Sequence, residues 1–173
     1  MISLLTAFIQ FMHALISARP LLTKTIKDNK FVADALKTIL NELSADRVYL
    51  CHFHNGGKYY TGKSQQKFST TFEVVSEGIE LGWQEKNTPT TLWCYAMEMC
   101  VNNNFTFADI DKIQDLATVA RLKSKGVKSI TWVPIMGKKD LLMFVGIDWV
   151  KDPACTIDVP KLKARLDGLK SLI

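Results

Sequence analysis

The sequence predicts an α+β fold, an α/β sandwich in which an antiparallel sheet carries flanking helices. Three observations predict it. Residues 68–75 alternate Phe68, Thr70, Phe72 and Val74 against Ser69, Thr71, Glu73 and Val75, the two-residue period of a strand with one apolar and one polar face beside an antiparallel neighbour. Residues 129–136 and 141–150 are apolar runs separated by Gly137-Lys138-Lys139-Asp140, a hairpin signature. Both ends of the chain repeat apolar residues at spacings of three and four, which is helical.

Length and composition suit one domain. With 173 residues, 47% hydrophobic and 23% charged, the chain can bury a core, and it shows no low-complexity tract and no internal repeat. The formal net charge of +5 comes from lysines scattered along the chain. That permits an anionic partner but lacks the clustered basic face of a nucleic-acid binder, so no nucleic-acid partner is expected. Cys51, Cys94, Cys100 and Cys155 show neither CxxC spacing nor histidines at metal-ligand intervals. Cys94 and Cys100 stand six positions apart on one helix, on different faces, which argues against a disulfide. Free thiols in a reducing cytosol are the economical reading, and a cytoplasmic location follows from it.

Residues 2–18 contain no acidic or basic side chain apart from His13. Ile2, Leu5, Ile9, Met12 and Ile16 form one helical stripe, and Leu4, Phe8, Phe11 and Leu15 a second. A cleaved signal lacks its preceding basic residues. A membrane span wants about 20 apolar residues, and this run is shorter and holds Ser3, Gln10, His13 and Ser17. A helix packing against another chain or the rest of the domain needs nothing further; membrane attachment through residues 2–18 stays open beside it.

Pro20 suits a helix start or a kink. Leu22, Ile26, Asn29, Ala33, Leu36, Leu40 and Leu43 then form a heptad seam with one polar position, a device that fixes register in a two-stranded coil. Alternatively, a shorter helix begins near residue 28 and packs Val32, Leu36, Ile39 and Leu43 on a sheet. Both can hold, the first half pairing and the second half packing. Residues 48–53 are apolar on both faces, so that strand is central. After residues 68–75, Gly78 and Gly82 mark turns before Trp83. Thr88 and Pro89 offer a cap and a first-turn proline for a helix to Val101, with Leu92, Tyr95, Ala96 and Met99 inward and Asn102-Asn103-Asn104 ending it. Residues 105–109 are extended. Residues 115–125 are helical, with Gly126 as the left-handed stop. Asp158 caps a terminal helix carrying Leu162, Leu166, Leu169 and Ile173 on one face.

This order, and above all the stretch LKSKGVKSITWVPIMGKKDLLMFVGIDWV, resembles a GAF domain. Leu122, Gly126, Val133, Pro134 and Gly146 match the helix, glycine turn, proline-ended strand, tight hairpin and glycine-bearing strand with which such domains close. The stretch around His54-Asn55-Gly56 with residues 68–75 is also similar to short GAF-like proteins of phage genomes that pair an apolar N-terminal helix with one GAF unit. The resemblance implies an antiparallel sheet with helices on one face and a ligand pocket on the other, terminal helices that form a dimer bundle, and small ligands such as cyclic nucleotides or tetrapyrroles. It divides the chain into an N-terminal part, 1–27, and a GAF-like domain, 28–173. Fold alone does not supply function.

The loop expected between residues 53 and 68 is the candidate site. Lys58, Lys63 and Lys67 stand among Gly56, Gly57 and Gly62, with Tyr59, Tyr60, Gln65 and Gln66 and no acid. Glycines let backbone N–H groups approach an anion, lysines supply charge, and tyrosines stack on a base. Gly57 to Ser64 satisfies the phosphate-loop expression GxxxxGK[ST], but that motif must open into a helix, and here the β-rich FSTTF follows, so NTP hydrolysis is not expected. His52 and His54 share a strand face, and two imidazoles do not close a metal site. Asn55 is a turn residue or a ligand donor. Glu73 and Asp148 are acids inside apolar strands: Glu73 is a candidate acceptor for a ligand N–H, and Asp148 reads as structural. Trp83, Trp93 and Trp132 wall a pocket or fill the core. Cys51, mid-strand among apolar neighbours, reads as an inert thiol, which counts against methionine sulfoxide reduction.

Together these features lead to the expectation of a non-catalytic protein, without metal or cofactor, that binds a small anionic ligand, most simply a nucleotide-derived signal, through His54, Asn55, Lys58, Tyr60, Lys63, Lys67, Thr71, Glu73, Trp83 and Trp93. A homodimer through the terminal helices is expected. The competing expectation is a ligand-free interaction module held to a membrane or partner by its apolar N-terminal helix.

Overall fold

A computed structural model describes residue 10 and residues 22–102, 106–137, 140–151 and 157–170. The expectations for the remainder of residues 2–18, and for Pro20, Asn103, Asn104, Phe105, Lys138, Lys139, Cys155 and Ile173, lie outside the described residues. Helix α1 is Leu22–Glu42, followed by strands β1 (Arg47–Lys58), β2 (Ser64–Val75) and β3 (Thr88–Pro89). Helix α2 (Cys94–Val101), strand β4 (Thr106–Asp109), helix α3 (Leu116–Ser124), strands β5 (Ser129–Met136) and β6 (Leu141–Trp149), and helix α4 (Val159–Leu169) complete the order. The strands form one six-stranded sheet in the order β3-β2-β1-β6-β5-β4, and every pairing in it is antiparallel.

Strand alternation sorts side chains into two cores, one on each face of the sheet. On one face, Val32, Leu36, Ile39 and Leu40 of α1 and Leu162, Leu166 and Leu169 of α4 cover Val48, Leu50, Val133, Ile135, Val145 and Ile147. On the other, Tyr49, Cys51, Phe68, Ile130, Trp132 and Phe144 meet Trp83, Trp93, Ala96, Cys100, Ile110, Ile113 and Leu122. The central strand expected at 48–53 is there: residues 47–51 of β1 are buried.

Several local signals stand as read. Asp115 caps α3 by accepting from the Thr118 N–H at 2.9 Å, and Gly126 follows it at φ 70°. Asp158 caps α4 by accepting from the Lys161 N–H at 3.1 Å. Cys94 is exposed and Cys100 buried on α2, so the two thiols do face apart.

Two expectations change and one open alternative is narrowed. First, the long loop between β1 and β2 does not exist. Asn55 pairs with Gln66 and Lys58 with Ser64, so both strands run on into a two-stranded arm. The connection is a tight turn closed by Tyr59 N–H to Lys63 O and Gly62 N–H to Tyr59 O, both 2.8 Å. Ladder hydrogen bonds join backbones and need no apolar alternation, so a solvated arm leaves no strand pattern to read. Second, for α1 the second half packs on the sheet, as both open readings allowed, whereas Leu22 and Ile26 of the first half are exposed; the helix runs unbroken across residues 27 and 28. Third, Thr88 and Pro89 do not start a helix. They pair with Phe68 and Lys67 as β3, and the Thr88 hydroxyl donates to Glu85 Oε2 at 2.6 Å instead of capping. A 3-10 turn over Thr90–Trp93, with Leu92 exposed, precedes α2, which buries Ala96 and Cys100.

Candidate functional site

The sheet face opposite α1 and α4 carries an aromatic cluster built around Tyr49. Its partner across the ladder is Gly146, and the absence of a side chain there gives the Tyr49 ring its place: a Cβ at 146 would stand 1.9 Å from Tyr49 Cζ. Trp83 stacks on Tyr49 at 4.2 Å between centroids and 15° between planes. Trp93 lies 5.1 Å from Trp83, and Phe144 meets Tyr49 edge-on at 6.5 Å. These contacts fill the centre of the face with the chain's own rings.

A buried polar group lies inside this cluster. Asp148, on β6 two residues beyond Gly146, has no solvent exposure. Its Oδ2 accepts from Trp83 Nε1 at 2.5 Å and its Oδ1 from the Tyr49 hydroxyl at 3.2 Å. The Tyr49 oxygen in turn accepts from Trp132 Nε1 at 3.2 Å. Arg47 Nη1 stands 3.9 Å from Asp148 Oδ2. Burial pushes the Asp148 carboxyl up to about 7, against the opposing pull of Trp83, Arg47 and Tyr49. Burial likewise pushes the Cys51 thiol up and that of Cys100 to about 12, so neither is a thiolate at neutral pH.

Residues 76–87 cross over this cluster and bring Trp83 into it. Arg47 Nε donates to Glu80 O and Arg47 Nη1 to Lys125 O, each at 2.9 Å. Lys125 Nζ donates to Gly82 O and lies 4.5 Å above the Trp83 ring. Glu73 Oε1 accepts from the Gly82 and Trp83 N–H groups at 2.7 and 3.0 Å.

Two openings border the cluster. A groove of about 260 Å³ at its hairpin end is lined by Phe53, Gln66, Thr90, Met97, Asp140 and Leu141; Phe53, Met97 and Leu141 are also partly buried members of the cluster's rim. A second cavity, about 280 Å³, lies at the β2 edge beside Thr71, Glu73, Trp83 and Glu85.

The expected site residues are therefore dispersed. Thr71, Glu73 and Trp83 share the edge cavity. Trp93 is buried in the cluster, as Trp83 is. Lys58, Tyr60 and Lys63 stand exposed at or beside the turn of the arm. Lys67 lays its aliphatic stem across Gly56, where a Cβ would stand 2.4 Å from Lys67 Cδ; Gly56 thus accommodates a side chain. Gly57 is a bulge-and-turn glycine at φ 98°, and its N–H is taken by Asn55 Oδ1 at 3.0 Å. His54 Nε2 bonds the Ser69 hydroxyl at 3.0 Å, and His52 Nδ1 bonds that of Thr71 at 2.7 Å. Among the described residues no group of three or more His, Cys, Asp or Glu side chains is placed to hold a metal ion. The GxxxxGKS stretch forms the turn of the arm, and Ser64 opens β2 where a phosphate loop needs a helix.

Sequence reading missed Tyr49, Arg47 and Lys125. Nothing in the run RVYLC sets Tyr49 apart from a core residue. The usable signal was Asp148, a mid-strand acid two residues from a strand glycine.

No protein-family model and no curated protein sequence matches the chain. Solved structures do. The phycoerythrobilin-bound GAF domain of a cyanobacterial phytochrome superposes with a TM-score of 0.63 at 17% identity, over 87% of this chain and 85% of that one. A GAF domain region from Geobacter sulfurreducens PCA gives 0.62 at 13%, over 87% and 95%. The blue-light-absorbing form of the Thermosynechococcus elongatus PixJ GAF domain gives 0.62 at 14%, over 89% and 84%. At such identities the likeness is one of architecture, and the architecture of this chain is that of a GAF domain.

Proposed function

We propose that the protein is a non-catalytic, small-ligand-binding GAF-type module that takes its ligand in the groove at the hairpin end of the aromatic face. One observation carries this reading: the groove of Phe53, Gln66, Thr90, Met97, Asp140 and Leu141 joins an apolar floor to a few polar side chains. That is the make-up of a small-molecule site, and about 260 Å³ lies just below the roughly 300–1,000 Å³ of drug-sized sites, which suits a small ligand or part of a larger one. A planar ring would lie on Phe53 and Met97, with its polar edge toward Gln66, Thr90 and Asp140. Bilin-bound domains of the same fold support small-ligand binding in general.

A nucleotide-derived signal is the narrower form of the proposal. Lys58 and Lys63 would take its phosphates. Lys58 lies five residues along β1 from Phe53, roughly 16 Å at the rise of a strand, so only an elongated nucleotide reaches both. Thermal shift with cyclic dinucleotides, ADP-ribose-type molecules and cyclic mononucleotides separates the cases, alongside mass spectrometry of molecules released from the heat-denatured protein. A stabilising ligand whose effect disappears in Phe53→Ala and Met97→Ala is expected. A broad panel without a shift, and no released molecule, overturns the reading. Loss in Lys58→Ala with Lys63→Ala assigns the phosphates; retention removes the nucleotide form alone.

A second reading, attachment to a partner through the N-terminal helical part, is favoured by the exposed Leu22, Ile26 and Phe31 of α1. Phe31 also lines an apolar groove of about 310 Å³ between α1 and α4, with Ala35, Ile39, Gly168 and Leu169. We take the partner to be a second copy of the chain, because the first half of the heptad seam, with Asn29 at its polar position, is the part of α1 left off the sheet.

A further inference from the structure

Trp83 sits in the aromatic face much as a bound molecule would. It arrives from an irregular segment, residues 76–87, and not from the sheet or a helix. Its walls come from four other places: Tyr49 on β1 stacks on it, Trp93 closes on it from the turn before α2, Asp148 on β6 accepts its N–H, and Lys125 after α3 lies over its ring. Tyr49 and Asp148 are held without it. Tyr49 is positioned by its own hydrogen bonds with Asp148 and Trp132, Asp148 also faces Arg47, and Arg47 has a partner outside the segment in Lys125 O.

The segment is tethered in a way that permits release. Two backbone bonds tie its ends, Ser76 N–H to Asp46 O at 2.9 Å and Thr70 N–H to Glu85 O at 3.0 Å. Between those ends the bonds to its surroundings run through side chains: Glu73 to Gly82 and Trp83, Arg47 to Glu80, Lys125 to Gly82 and Glu85, and Lys151 to Glu77 O at 2.9 Å, with Ser76 to Asp46, Thr88 to Glu85 and Ser69 to Asn87 beside the ends. A laddered strand leaves only by breaking its sheet, whereas side-chain tethers let go with the sheet intact. The edge cavity of about 280 Å³, lined by Trp83 with Leu81, Gln84 and Lys86, lies beside the segment.

We propose that Trp83 is the resident occupant of a binding site for planar heteroaromatic N–H donors (an indole, purine or pyrrole ring), and that residues 76–87 form a strap which such a ligand displaces. The site selects by shape and by one polar contact. Tyr49 and Trp93 require a flat ring, and the buried Asp148 carboxyl favours a donor, because a ring without N–H leaves Oδ2 without the hydrogen bond that Trp83 gives it. This deepens the proposed ligand-binding role of the face and rests on it, but concerns a different subsite from the Phe53–Met97 groove.

Indole, benzimidazole and 1-methylindole test it, the last a ring of indole's class without the N–H. In Trp83→Ala, indole and benzimidazole are expected to bind one to one by calorimetry and to raise the Tm, with 1-methylindole weaker by about tenfold or more. In the wild-type protein, saturating indole is expected to speed amide hydrogen exchange in residues 76–87 and leave β1 and β6 unchanged. Should Trp83→Ala not fold, Trp83→Phe keeps a ring, loses the donor, and is expected to speed exchange in the same segment without ligand. Equal binding of indole and 1-methylindole to Trp83→Ala, or a strap that stays protected in wild type at saturating indole, overturns the proposal. A ligand whose binding is lost in Phe53→Ala while the strap stays protected overturns the strap and leaves the groove reading standing.

Discussion

Tyr49 and Gly146 face each other across the β1–β6 ladder, and the ring of one occupies the side-chain space of the other. A Cβ at 146 would stand 1.9 Å from Tyr49 Cζ and 2.2 Å from its hydroxyl. Gly146 thereby sets the position from which that hydroxyl reaches Asp148. Gly146→Ala is expected to destabilise the protein by about 1–3 kcal/mol, the range for forcing atoms into a filled core. In a Tyr49→Ala background the obstruction is gone, and the same substitution should be close to neutral. Urea denaturation of the four proteins reads the coupling; an equal loss in both backgrounds would exclude the contact as its cause.

Gly126 illustrates a purely backbone requirement. It stands at φ 70°, and a Cβ there would make only an ordinary 3.5 Å contact with Val150 Cγ1. Gly126→Ala should therefore lose about 1 kcal/mol through left-handed strain alone. Gly126→Asn should lose less, since asparagine visits that region more readily. Denaturation midpoints with unchanged m-values check this; an asparagine variant weaker than the alanine one would count against it.

The contrast between these two glycines shows what the sequence makes legible. Gly126 follows a capped, periodic helix, and Asp115, Leu122 and Gly126 signal one another within a dozen residues. The 129–136 strand and the hairpin after it are equally local. Gly146 matches a fold pattern, but its contact with Tyr49 depends on a pairing 97 residues apart in sequence, which no local pattern encodes. The arm at 53–67 was misread because a solvated two-stranded ribbon shares its glycines, lysines and tyrosines with a flexible loop. Trp83 reads from the sequence as a pocket wall or a core residue. That it stacks on Tyr49 and donates to Asp148 depends on where a segment without secondary structure comes to rest.

The exposed half of α1 makes an assembly prediction. Leu22 is 73% and Ile26 58% exposed, four residues apart on one helical face. If a second chain covers them, Ile26→Glu should shift the mass by light scattering from dimer to monomer and leave the circular dichroism unchanged. Wild-type protein that is monomeric at high micromolar concentration would remove the pairing.

Asp148 gives the stability of the fold a pH dependence with a definite sign. Its carboxyl is raised from 3.8 to about 7, so between those values the native protein holds a proton that the unfolded chain has released. Stability from this group is therefore complete below about pH 4 and is lost as the pH rises to about 7. Asp46 and His52 are among the groups that work the other way. Burial opposes ionisation of Asp46, but the Lys151 and Val150 N–H groups and the Ser76 hydroxyl outweigh it and lower its pKa, so its contribution is lost on acidification below 3.8. Burial lowers the pKa of His52 below 6.5, so its contribution increases with pH up to that value. The comparison with Asp148→Asn isolates the first effect, since Asp46 and His52 are common to both proteins. Arg47, Tyr49, Trp83 and Lys125, the groups that face the carboxyl, are also retained. The wild-type advantage in urea midpoint over Asp148→Asn is expected to shrink steadily from pH 4.5 to 7.5. A difference independent of pH would mean that Asp148 is ionised throughout that range, held so by Arg47 and the two aromatic donors.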